Sequence, residues 1–189
     1  RKNVDDVTSN IPGSDGQSRK YGMSTLAVHA GARPDPVTGA RGTPIYQTTS
    51  FVFDDAEHGA ELFNLQTFGY VYSRMTNPTV SVFEERVAQL EGGRGAVATS
   101  SGHAAQFIAA ATLMEAGDEF IASRNLYGGS VTQFGVSFPK LGWKCNFVDP
   151  TDPENFEKAM NDKVKFIFCE GVANPGGIIL DLEKIADIA

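Results

Sequence analysis

From residue 77 onward the apolar positions of the chain alternate between two rhythms. Asn77 is a good helix cap and Pro78 suits the first helical position. Val80, Phe83, Val87 and Leu90 then recur three or four residues apart until Gly92-Gly93 stops them, which predicts an amphipathic helix. Ala96-Val97-Ala98-Thr99 follows as a short buried strand, then an alanine-rich helix over about 103–114 ended by Gly117, then the strand Glu119-Phe120-Ile121-Ala122. A helix near 130–138 runs into Pro139, Cys145-Asn146-Phe147-Val148 is a strand, Asp152-Pro153 opens another helix, and 164–169 is an apolar, β-rich run. Strand–helix–strand units at this spacing predict an α/β fold with a mainly parallel sheet covered by helices on both faces.

Residues 1–65 do not share the rhythm. They carry Pro/Gly-rich turns, the polar stretch Gln47-Thr48-Thr49-Ser50, and one helix expected from Asp55 with Asp54 as its cap. The polar segment 1–20 lacks the apolar stretch of a secretory signal and is expected to be a flexible or partner-dependent arm. The chain opens on Arg1 rather than Met and closes in the helical run from Asp181 to Ala189 without a stop signal. It is therefore expected to be part of a longer polypeptide.

Composition narrows the function classes. With 189 residues, 41% hydrophobic and 21% charged, the chain has an ordinary globular balance. Its formal net charge of -7 argues against a nucleic-acid groove or an anionic membrane surface as partner. Cys145 and Cys169 lie in apolar runs with no second ligand nearby, as small buried hydrophobes do, and fit a reducing, cytoplasmic setting. His29 and His58 have neither triad nor metal-ligand spacing, and no metal is expected.

Four short runs carry candidate chemistry, and each has an ordinary structural counterpart. Tyr72-Ser73-Arg74 sets a phenol near a guanidinium, groups suited to a phosphate and pointing the same way if the segment is extended. Tyr-x-Arg is equally at home on a plain strand. Ser101-Gly102-His103 opens a helix whose free N–H groups make an anion site, or is simply a serine cap. Tyr127-Gly128-Gly129 leaves space beside an aromatic ring for a flat ligand, or the tyrosine merely packs on a neighbour. Glu170 and Asn174-Pro175-Gly176-Gly177 bring a carboxylate and an amide to the end of the last strand, or form only a good turn. Loops at the carboxyl ends of strands are where open α/β sheets hold ligands. Together the four describe a pocket for a phosphate and a flat polar ring, closer to pyridoxal phosphate than to a nucleotide, since no Walker loop or Gly-x-Gly-x-x-Gly fingerprint is present.

The ordered set Tyr72-Ser73-Arg74 with Asn77-Pro78-Thr79, Ser101-Gly102, Leu126-Tyr127-Gly128, and Glu170 with Ala173-Asn174-Pro175 resembles the pyridoxal-phosphate enzymes of cysteine and methionine metabolism. The similarity covers about 25–189. Val28-His29-Ala30-Gly31, Pro44-Ile45-Tyr46-Gln47-Thr48-Thr49-Ser50-Phe51 and Glu61-Leu62-Phe63-Asn64-Leu65 before Phe68-Gly69 most resemble the O-acetylhomoserine sulfhydrylase branch. The resemblance implies a fold type I pyridoxal-phosphate transferase, a three-layer αβα sandwich, truncated here before its C-terminal half. It divides the chain into an arm and subunit-contact segment over 1–65 and the first part of the large cofactor-binding domain over 66–189.

It also carries roles to matching positions. Gly102 and His103 are implied to give backbone N–H groups to the cofactor phosphate, and Tyr127 to stack on the pyridine ring and take part in proton transfer. Asn174 is implied to bond the ring hydroxylate with Glu170 nearby, and Tyr72 and Arg74 to reach the phosphate of a neighbouring subunit in a homodimer, usually within a homotetramer. The implied reaction, a step of methionine biosynthesis, replaces the acetate of O-acetyl-L-homoserine with sulfide to give L-homocysteine. Cystathionine γ-synthase and methionine γ-lyase are sister activities on the same fold. The family's Schiff-base lysine is expected beyond Ala189, because Lys140, Lys144, Lys165 and Lys184 lack its Ser/Thr-rich loop setting. By itself the 189-residue chain is thus expected to be inactive, a phosphate-binding or subunit-interaction fragment.

Overall fold

A computed structural model of the chain describes residues 9–12 and 18–189. Much of the arm expected over 1–20 lies outside the described residues. The chain divides into two compact units, one ending at Ala98 and one running from Thr99 to Ala189. Among the described residues, no helix is long and apolar enough to cross a membrane.

In the first unit, β1 (Ser9–Pro12) and β2 (Ser18–Tyr21) pair antiparallel, with Ser9 opposite Tyr21. Three helices follow: α1 (Met23–His29), α2 (Ala56–Phe63) and α3 (Pro78–Glu91). Leu26 and Ala30 are fully buried, and Arg86 Nε of α3 donates to the Ala30 carbonyl at 2.9 Å. Gly31 makes the turn beyond α1 at φ 72°, where an added Cβ would stand 2.6 Å from the Val82 carbonyl oxygen. Only glycine allows that approach.

Helix α3 starts and stops as its sequence predicts. Asn77 Oδ1 accepts the Thr79 N–H at 2.9 Å, Pro78 is the first helical residue, and Gly92 closes the helix in the left-handed region at φ 66°. The cap of α2 is Asp55 rather than the expected Asp54. Asp55 is the residue in extended conformation, and its Oδ1 accepts the His58 N–H at 2.8 Å, whereas Asp54 donates its backbone N–H to His58 Nδ1 at 3.2 Å.

The second unit contains a three-stranded parallel sheet of β3 (Glu119–Ser123), β4 (Lys144–Val148) and β5 (Val164–Phe168), in the order β4-β3-β5. Side chains alternate across the central strand as its pleat requires. Phe120 and Ala122 join Ala110 and Met114, on and just after α4 (Gly102–Leu113), with Leu126, Phe134, Phe138 and Trp143 on one face. Ile121 joins Phe156 of α6 (Glu154–Lys158), Leu180, and Ile185 of α7 (Leu182–Ile188) on the other. The unit is therefore three layers. Phe120 is fully buried with Phe134 at 5.1 Å edge-on and Phe166 stacked at 4.8 Å. Burying each such ring is worth about 1.5–3 kcal/mol.

Two further expectations change. The helix foreseen near 130–138 begins earlier, as α5 (Gly128–Thr132), widens to π-helical winding over Gln133–Ser137 and tightens to a 3-10 turn over Phe138–Leu141, where Pro139 has no N–H to give. The buried strand foreseen at 96–99 does not form. Its residues pair with no strand among the described residues, Val97 is 77% exposed, and the Ala98 N–H bonds to the Glu84 side chain at 2.7 Å. An apolar run becomes a strand only where its N–H and carbonyl groups meet another backbone edge, and here the Ala98 N–H is taken by a side chain instead.

At the amino end of the sheet, Glu119 ties three segments together. Its carboxylate accepts from Asn146 at 2.7 Å and from Asn161 and Lys144 at 3.2 Å each. These bonds, Asn146 first, lower its pKa from 4.5 to about 2. Lys165 pairs with the adjacent Asp118 at 3.6 Å.

Candidate cofactor site

The carboxyl ends of β3 and β5 and the start of α4 hold most of the candidate residues. Ser101 Oγ accepts the Ala104 N–H at 3.1 Å, and the Ala105 N–H bonds to the Ser101 carbonyl at 3.0 Å. The N–H groups of Gly102 and His103 have no partner among the described residues, so two donors remain at the positive end of a twelve-residue helix.

Beyond β3, Ser123 is fully buried and its Oγ accepts the Asn125 N–H at 3.1 Å, which turns the chain so that Leu126 enters the core and Tyr127 emerges, 53% exposed. The Tyr127 backbone is held at both groups. Its carbonyl accepts the N–H of Ser130 at 2.9 Å and of Val131 at 3.2 Å, and its N–H donates to Glu170 Oε1 at 3.0 Å. Glu170 Oε2 accepts the Asn174 N–H, also at 3.0 Å. One carboxylate thus links the loops after β3 and β5. The loop beyond Glu170 folds back on itself through a bridge between Val172 and Ile179 and a bond from the Ala173 N–H to the Ile178 carbonyl at 2.8 Å. The Asn174 side chain stays exposed and has no hydrogen-bond partner among the described residues.

The His103 ring lies 5.8 Å from the Tyr127 ring, centre to centre, tilted by 31°. Gln133 Nε2 donates to the His103 carbonyl at 3.0 Å, and Gln106 Nε2 to Ser130 Oγ at 2.9 Å, tying α4 to the helix that follows Tyr127. Gly102, His103, Tyr127, Glu170 and Asn174 therefore form one connected group. Sequence reasoning placed Glu170 beside the ring hydroxylate and did not foresee that it clamps two backbones, nor the contact of the His103 ring with Tyr127. The double glycine after Tyr127 was the visible signal for the latter.

Tyr72 and Arg74 stand together in the first unit. Tyr72 bridges to Ser50, after which a turn follows, with the N–H groups of Met75 and Thr76 on the Tyr72 carbonyl at 2.9 and 3.1 Å. Arg74 Cζ lies 4.9 Å from the Tyr72 ring centre, so the two converge by this turn and not by the alternation of an extended strand. Ser73 Oγ donates to the Thr48 carbonyl, and Asn77 Nδ2 reaches Ser73 Oγ at 2.9 Å and the Tyr46 carbonyl at 3.0 Å. The motif is thereby pinned to the segment 46–50. The Arg74 guanidinium is exposed and has no ion-pair partner among the described residues.

The donor set fits pyridoxal phosphate. Paired helix N–H groups suit the phosphate, an exposed phenol ring offers a flat face, and an unpaired carboxamide suits a ring oxygen.

Comparison with known proteins agrees with this chemistry. The family described as "Cys/Met metabolism PLP-dependent enzyme" matches residues 24–189. O-acetyl-L-homoserine sulfhydrylase of Leptospira meyeri is 47% identical over 178 residues, 94% of this chain and 40% of that one. Homocysteine synthase of Schizosaccharomyces pombe is 47% identical over 167 residues, 88% of this chain and 39% of that one. A solved Campylobacter jejuni chain named as an O-acetylhomoserine (thiol)-lyase, holding N'-pyridoxyl-lysine-5'-monophosphate, superposes with a TM-score of 0.85 at 36% identity, covering 89% of this chain and 41% of that one. The chain spans about two fifths of the length of these curated relatives.

Proposed function

Because the chain belongs to the Cys/Met-metabolism PLP-dependent enzymes, we propose that the intact protein converts O-acetyl-L-homoserine and sulfide to L-homocysteine and acetate. The Cγ–O bond to acetate breaks, a Cγ–S bond forms, and acetate leaves with the electron pair. The observation that carries the reading is the single carboxylate of Glu170 holding both Tyr127 and Asn174 in a chain 47% identical to a sulfhydrylase.

Bound pyridoxal phosphate supplies an electron sink for carbanion chemistry. The chain's own residues hold and aim it. Gly102 and His103 give their free N–H groups to the phosphate, and the Asn174 carboxamide bonds the ring oxygen. The Tyr127 ring faces the pyridine, and its Oη moves a proton. Tyr72 and Arg74 reach the phosphate bound by a neighbouring subunit, so that the site is completed in a homodimer, assembled further into a homotetramer in the cytoplasm. Residues 1–65 serve as the subunit-contact segment and 66–189 belong to the cofactor-binding domain. The exposure of Ile45 (76%), Val52 (96%) and Leu65 (87%) supports burial of residues 1–65 against another chain.

Initial rates with O-acetyl-L-homoserine test the reading. Homocysteine formed with sulfide is the expected result. Cystathionine formed with cysteine in preference to sulfide indicates a γ-synthase, breakdown of methionine without added nucleophile a γ-lyase, and no turnover in any assay a non-catalytic protein.

A further inference from the structure

The two glycines after Tyr127 are not equivalent. A Cβ at Gly128 meets nothing within 4 Å, whereas one at Gly129 would lie 2.5 Å from both His103 Cε1 and Tyr127 Cε1, and 2.7 Å from His103 Nε2. Gly129 has no backbone reason to be glycine, since its φ is not in the left-handed region. Its reason is space. The imidazole and the phenol meet in the gap it leaves, with ring centres 5.8 Å apart. The backbone on each side of this pair is fixed, through Gln133 on the His103 carbonyl at 3.0 Å and Glu170 on the Tyr127 N–H at 3.0 Å. On the side of Gly129 the two rings leave no room for even a methyl group, while their other faces are open to solvent.

We propose that the His103 imidazole is a positioning residue: it rests against the Tyr127 ring in the space left by Gly129 and sets the angle at which that ring meets the cofactor. The side chain of His103 thereby acquires a role distinct from that of its backbone N–H. The effect on the cofactor rests on the function proposed above. The ring pair itself does not.

The test uses the intact protein labelled with 3-fluorotyrosine, the Tyr127 signal being assigned by its loss in Tyr127→Phe. In cofactor-free protein, His103→Ala and Gly129→Ala should each move that signal, while Gly128→Ala should leave it in place. With cofactor, His103→Ala should change the visible circular dichroism of the bound ring. It should lower kcat about tenfold with little change in KM, as for a misaligned group, and His103→Gln, which keeps a flat polar group, should recover part of both. The effects of His103→Ala and Gly129→Ala should be less than additive, because the first gives Tyr127 room to yield to the second. An unmoved fluorine signal in folded His103→Ala protein overturns the ring pair. A moved signal with unaltered dichroism and kcat overturns the positioning role. A wild-type protein that takes up no cofactor overturns the proposed function, and the fluorine signal still decides the ring pair.

Discussion

The Glu170 carboxylate, at the end of β5, accepts the backbone N–H of Tyr127, beyond the end of β3, at 3.0 Å. A side chain thus does what a sheet ladder cannot do past the strand ends: it holds two adjacent loops in one register. The same carboxylate fixes Asn174 from its other oxygen at 3.0 Å.

Glu170→Ala should remove two bonds at exposed positions, where water takes over as acceptor, and cost about 0.5–1.5 kcal/mol of stability. Glu170→Gln should cost less, since its one carbonyl oxygen can still take one of the two donors. Urea midpoints of the three proteins test the order, and cofactor affinity should fall in the same sequence.

Arg74→Ala in the intact protein should weaken cofactor retention by about ten- to a hundredfold, the scale of one lost charge-assisted bond to phosphate. Arg74→Ala subunits mixed with Tyr127→Phe subunits should form hybrid dimers carrying one unaltered site. Equilibrium dialysis and activity of the mixture check both statements. A mixture no more active than its parents, with assembly intact, would falsify the assignment of Arg74 to a neighbouring subunit's phosphate.

Glu119 makes stability acid-sensitive in a defined direction. Its pKa is lowered in the folded protein from 4.5 to about 2, by Asn146 first and then Asn161 and Lys144, so its contribution is present above 4.5 and is lost as the pH falls towards 2. Glu119→Gln should lower the thermal midpoint at neutral pH and flatten its decline over that acid window. A parallel decline in both proteins would show that other groups dominate.

Gly31→Ala should destabilise the packing of α1 on α3 by about 2 kcal/mol or more, combining left-handed strain with a clash on a helix carbonyl. Gly39 has a similar φ of 71° but open space around it. Gly39→Ala should therefore cost only the strain, roughly 1–2 kcal/mol. Chemical denaturation of both variants separates space from conformation.

The legible parts of the fold were those whose signals are local. Asn77-Pro78 with Gly92 marked both ends of α3 correctly, because cap, imino ring and left-handed stop all act within a turn of their own residue. The parallel sheet was legible because Phe120, Ile121 and Ala122 are apolar on both faces, which only a central strand needs. The segment 96–99 misled because apolar content predicts burial but not a partner edge. Asp54 and Asp55 misled by one residue, since either carboxylate can cap and the backbone angle decides. In the candidate site the residue types were readable and the links between them were not. Nothing local tells Glu170 that its acceptors will meet an N–H 43 positions earlier, or that His103 will share a gap with Tyr127.

The Glu119 fastening lies at the amino end of strands five residues long, while the chemistry of the site lies about 16 Å away at their carboxyl ends. This separation has an evolutionary consequence. Exposed loop positions such as Gly128 and Val172 can change without touching that fastening, whereas Leu126 and Ala173 of the same loops stay buried. A scaffold arranged in this way can diverge in substrate choice among its descendants while its folding remains conserved.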